Sequence, residues 1–120
     1  MNIVRLVTGA LIAVSLYAAQ GCGSRSPMVL GLAPATGARV TPIARVTASQ
    51  QLTTISGTMI EKCPVAGCWF VVKDRTGVIR VDTKAAGFVV TDVPLSSSVV
   101  VTGAVTGGGR ELAATGLRCP

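Results

Sequence analysis

The chain has 120 residues, 49% of them hydrophobic, and its 11 Lys and Arg against 5 Asp and Glu leave a net charge of +6. That length holds one small domain, and the complete lack of histidine removes both the commonest general base and the commonest metal ligand. The five acids, Glu61, Asp74, Asp82, Asp92 and Glu111, form no tight cluster along the chain, so carboxylate metal sites and glycosidase-like acid pairs find no support. Basic residues are scattered from Arg25 to Arg118 without a run, the pattern of a solvated surface and not of a nucleic-acid footprint. No glycine-rich phosphate loop precedes a helical pattern. The chain is read as a non-enzyme with no cofactor.

Residues 1–21 have the layout of a secretory signal, with Arg5 as the single charge ahead of an uncharged run from Leu6 to Ala19. The run is shorter than the roughly 20 apolar residues that a membrane-crossing helix needs. Ala19-Gln20-Gly21-Cys22 resembles the lipobox of bacterial lipoproteins, in which the cysteine sulfur receives a diacylglyceryl group and becomes the first residue of the mature protein. Gly21 and Cys22 fit that pattern, whereas Ala19 and Gln20 stand where Leu and a small Ala, Ser or Thr are usual. The resemblance implies a lipidated Cys22 and a membrane-anchored, extracytoplasmic protein. In a host with two membranes, Gly23 and Ser24 lack an aspartate retention signal, which implies the periplasmic side of the outer membrane. An ordinary secretory signal with an unmodified Cys22 is the other reading, and it too places the protein outside the cytoplasm.

Residues 22–44 carry Pro27, Pro34 and Pro42 among Gly, Ala, Ser and Thr and show no sustained period. They are read as an extended tether, in which Met28-Val29-Leu30 is an apolar spot able to pack on the domain or the bilayer. Residues 45–120 read as strands over 45–63, 68–74, 77–83, 99–105 and 110–118. Asp74-Arg75-Thr76-Gly77 is a turn signal, with Gly77 expected in a left-handed position, and Gly107-Gly108-Gly109 joins the last two strands. Gly57 and Gly103 are expected to let strands bend where a small barrel closes. The interval 84–98 leaves room for a short helix or turn between the third and fourth strands.

Three strands, a crossover and a hairpin give an all-β, five-stranded OB-fold-like Greek-key barrel. The run from Gly57 through Cys63, Cys68-Trp69-Phe70 and Asp74-x-x-Gly77-Val-Ile-Arg-Val resembles a group of bacterial extracytoplasmic OB-fold domains of unassigned function. Their shared pattern is Cys-x4-Cys-Trp followed by Asp-x-x-Gly-x-I-x-V, and the likeness spans about residues 52–118. It implies a fold and a compartment, and no reaction. Alternation along the second and third strands predicts Phe70, Val72, Ile79 and Val81 in the core.

Cys63 and Cys68 flank Pro64-Val65-Ala66-Gly67 at a predicted hairpin tip, where a disulfide is the default in an oxidising compartment. Cys119 then remains as a peripheral free thiol, or replaces one of the two in a rearranged bridge. A third reading gathers Cys63, Cys68 and Cys119 as thiolates for Cu(I) or Zn²⁺. Trp69 and Phe70 must face opposite ways, and Trp69 reads either as a packing residue or, with Lys73, Arg75 and Arg80, as part of a ligand face. Lys84 lies near that face in sequence, and Phe88 is the remaining aromatic of the domain. The leading functional reading is a non-enzymatic, lipid-anchored binding module of the bacterial envelope, taking a protein, an envelope oligomer or a small ligand. The alternatives are thiol-dependent metal handling and single-stranded nucleic-acid binding, the last resting on fold analogy alone.

Overall fold

β-Branched residues alternate with polar ones through most of the domain, and in the computed structural model, which describes residues 27–48 and 52–120, they form strands. In order these are β1 (Met28–Gly31), β2 (Thr53–Lys62), β3 (Trp69–Lys73), β4 (Val78–Asp82), β5 (Ser98–Thr106) and β6 (Glu111–Cys119). Alternate residues of β3 and β4 point inward, so Phe70, Val72, Ile79 and Val81 are buried as their spacing predicts. Val99, Val101, Leu112 and Leu117 from β5 and β6 meet them, together with Ile55 and Met59 from β2.

Five of the strands close on themselves. β2 pairs antiparallel with β3 and β5, β3 antiparallel with β4, β4 parallel with β6, and β6 antiparallel with β5. The closed circuit removes free sheet edges, and its order is that of a small OB-fold-like barrel. A register shift between Met59 and Glu61 and another between Thr102 and Gly103 re-aim β2 and β5 around the curve.

Several boundaries differ from the sequence expectations. Part of the segment read as a tether is a sixth strand: β1 pairs antiparallel with the end of β6, Met28 opposite Cys119 and Gly31 opposite Gly116. Its side chains are few and its pairing lies entirely with residues almost ninety positions away, which no local pattern announces. The first long strand begins at Thr53 and not near Arg45, because Ile43–Arg45 form a single 3-10 turn whose Ile43 plugs the core. The interval between β4 and β5 contains turns and no helix. It is pinned by Val90 N–H to the Gly67 carbonyl (2.9 Å), Ser96 N–H to the Met59 carbonyl (2.7 Å) and Met59 N–H to the Ser97 carbonyl (2.9 Å). The signal segment 1–21 and Cys22 lie outside the described residues.

Candidate functional site

The β3–β4 ladder sets Trp69 opposite Asp82, Val71 opposite Arg80 and Lys73 opposite Val78. With Phe70, Val72, Ile79 and Val81 turned inward, these six side chains share the outer face of the barrel. Arg80 lies diagonally across from Trp69, and its guanidinium sits 4.7 Å from the centroid of the indole ring, a cation–π stack that holds the ring flat on the surface. Glu111 on β6 approaches the same guanidinium at 3.9 Å. Both side chains remain nearly half exposed, which makes this a weak ion pair. Trp69 is therefore a surface platform backed by the barrel, not a core residue.

At the other end of β3, roughly 13 Å along the strand, Lys73 and Arg75 line an open cleft of about 680 Å³. Its floor is apolar, from Val40, Pro42 and Ile60. The cleft is shaped by the β3–β4 turn, where the Asp74 carboxylate accepts from Thr76 N–H (2.7 Å), Thr76 Oγ1 (2.6 Å), Gly77 N–H (3.0 Å) and, through its second oxygen, Ile43 N–H (2.9 Å). Burial pushes this carboxyl up, but the Thr76 hydroxyl and the three amides outweigh it and leave the group below its ordinary value. Gly77 departs from expectation: it is not left-handed, and the turn is closed by the Asp74 side chain together with the Asp74 N–H, which donates to the Gly77 carbonyl (3.0 Å).

All four ligand-face candidates thus lie on one side of the barrel, Trp69 and Arg80 at one end and Lys73 and Arg75 at the other. Lys84 is exposed just beyond β4, its amide held by Asp82 (2.7 Å). Phe70 is fully buried and Phe88 packs against the core, so Trp69 is the aromatic ring that this face offers among the described residues. Single-strand readers stack successive bases on several such rings, and one ring gives that reading little to stand on.

The cysteines depart from expectation. Cys63 and Cys68 are both free thiols, half-buried in the β2–β3 loop, so the bridge expected between them is not formed. Cys63 Sγ accepts a hydrogen bond from Ala66 N–H at 3.4 Å. The Ala66 amide, followed by those of Val65 and Gly67, lowers this thiol from its usual value to about 7; partial burial opposes them, and the Cys68 amide adds to them. Cys119 is completely buried at the end of β6 and disulfide-bonded, so it is neither a peripheral free thiol nor a third thiolate. Among the described residues no three His, Cys, Asp or Glu side chains gather in a metal-binding group. Alkylation of Cys63 is expected to speed up with pH and level off above an inflection near 7. An inflection at the ordinary thiol value of about 8.5 would show that the amides do not face the sulfur in solution.

Lys62 is a residue that sequence reasoning missed. Its ammonium leaves the end of β2 and donates to the carbonyls of Val90 (3.4 Å), Thr91 (3.0 Å) and Val93 (2.5 Å). It ties the β4–β5 connection over the barrel end beside the cysteine loop. Its partners lie about thirty residues away, beyond any local signal.

No family model matches the chain, and no curated protein matches it. Among solved structures it is similar to a hypothetical protein, ygiW, from E. coli, with a TM-score of 0.53 at 23% sequence identity. That likeness covers 71% of this chain and 94% of the other. It is a likeness of fold, a small OB-fold-like barrel.

Proposed function

We propose that this chain is an exported, non-enzymatic binding module of the bacterial cell envelope, whose partner lies across the outer face of β3 and β4. The observation that carries this reading is the Arg80–Trp69 stack on the outer face of β3 and β4, with the cationic rim that Lys73 and Arg75 place around an apolar cleft at the other end of the same face. A fixed aromatic platform and two separated cationic groups suit a protein or small ligand with anionic groups. Binding across this face should perturb the fluorescence of the chain's one tryptophan, so capture from envelope extracts can be followed by titration with the isolated partner. Trp69→Ala and Arg80→Ala are each expected to weaken binding by about tenfold or more. Equal capture by both variants and the wild type would place the partner elsewhere.

Export rests on the uncharged N-terminal run, and a disulfide at Cys119 suits an oxidising compartment. Mass spectrometry of the mature chain tests it: cleavage ahead of Cys22 is expected, and an intact precursor in the cytoplasm would overturn it. The same spectrum reads the anchor. A diacylglyceryl adduct on Cys22 makes the module a lipoprotein, and a mature chain without that adduct makes it a released one.

A further inference from the structure

The cleft at the Lys73 end of the β3–β4 face has an apolar floor assembled by three separate devices. The register shift in β2 leaves Ile60 without a partner between Met59 and Glu61, and a bulge of that kind re-aims a side chain. Ile60 is accordingly 44% exposed and lines the cleft. The second device is a parallel bridge between Val40 and Thr54, fastened by Thr41 N–H to the Thr54 carbonyl (2.7 Å). It lays residues 40–42 along the part of β2 that the β3 ladder, ending at Thr58, does not reach. Val40 is left 46% exposed in the same cleft. Gly57 is the third: a β-carbon there would strike the Lys73 carbonyl oxygen, which keeps that part of the floor free of any side chain.

The rim carries charge that the protein does not neutralise. Lys73 and Arg75 are exposed, and among the described residues the ion pair formed is Arg80–Glu111, at the other end of the face. Asp74 is the acid in the lining. Its carboxylate is engaged by Thr76, Gly77 and Ile43 N–H at the turn, which fixes the segment that carries Arg75.

We propose that this cleft takes a free single-chain anionic amphiphile, with an alkyl chain on the floor of Val40, Pro42 and Ile60 and an anionic head at Lys73 and Arg75. The inference rests on the reading of the β3–β4 face as a binding surface and names what its Lys73 end receives. Two cations beside an apolar floor select a molecule that is anionic at one end and aliphatic along the rest. A volume of about 680 Å³ falls within the roughly 300–1,000 Å³ of small-molecule sites. A concave floor receives one chain at a time, whereas docking on a bilayer requires apolar groups that protrude.

The test titrates the mature chain with decanoate at neutral pH, below the concentration at which decanoate forms micelles, and follows backbone amide shifts by NMR. One decanoate per chain is expected, with shifts centred on Val40, Gly57, Ile60 and Arg75. From hexanoate through octanoate to decanoate, affinity should rise about twofold per methylene, because an open cleft covers only part of each one. Decanol should bind several-fold more weakly, and added salt should weaken decanoate but not decanol. Ile60→Gln and the double variant Lys73→Gln with Arg75→Gln alter exposed side chains, so both should keep the wild-type circular dichroism spectrum. Each should weaken decanoate binding about fivefold or more. Lys84→Gln, which removes a positive charge at the other barrel end, should bind as the wild type does. Absence of decanoate binding by the wild type, equal binding of decanol, affinity independent of chain length, or shifts centred elsewhere would overturn the inference. Binding to anionic vesicles alone, with none to free decanoate, would overturn it too. None of these outcomes alters capture by the Trp69 and Arg80 variants, so failure here and failure of the partner reading are told apart.

Discussion

Phe70→Ala is expected to destabilise the domain by about 3–5 kcal/mol, the cost of truncating a large aromatic in a packed core. Phe70 is fully buried and stands opposite Val81 on β4 and beside Lys62 on β2. Removing its ring leaves a hollow that the neighbouring Val72, Val81 and Leu112 cannot fill, because they belong to a closed circuit of strands that is unable to collapse inward. Small domains have about 5–15 kcal/mol in total, so this one change removes a large share. Urea unfolding measures it. Trp69→Ala is the matched comparison one residue away, facing outward, and its cost should be clearly smaller. A cost below about 1 kcal/mol for Phe70→Ala would mean that the inner and outer faces of β3 are reversed.

Gly103→Val should be nearly as damaging, for the opposite reason. Gly103 lies in the seam between β5 and β6, where a β-carbon would collide with the carbonyl oxygen of Ala113 and crowd the Cα of Ala114. Those are backbone atoms on the facing strand and cannot rotate away, so the seam must open. Overpacking costs about 1–3 kcal/mol and more where the backbone has to shift. The register shift between Thr102 and Gly103 depends on the same close approach. Gly77→Ala is the informative contrast: a β-carbon there meets only Ile43 Cγ2, at 3.7 Å, and the backbone is not left-handed. Thermal unfolding should separate the two widely. Comparable losses at both positions would show that the β5–β6 seam is looser than the structure has it.

By itself the sequence determined the all-β class, the five barrel strands to within a few residues at most ends, and the inward set Phe70, Val72, Ile79 and Val81. These are legible because side chains alternate across a strand, so apolar residues at every second position declare which way the chain faces. The same rule sent Trp69 outward and put Lys73 and Arg80 on its side. Asp74 was legible as a turn residue because its partners Thr76 and Gly77 are two and three positions away. Tertiary structure decided what depends on distant partners. β1 is a strand because the end of β6 offers it a ladder, and Lys62 is a clamp because three carbonyls of a remote loop converge on it. The cysteines show the division most plainly. Spacing alone made Cys63 and Cys68 a natural pair for a bridge, but a bond between sulfurs depends on how the folded loop spaces and aims the two side chains. Here both remain free thiols, the Cys63 sulfur accepts from the Ala66 amide, and Cys119 is sealed at the far end of β6. Side-chain direction within a strand is a local property; the approach of two strands or two loops is set by the closure of the whole barrel.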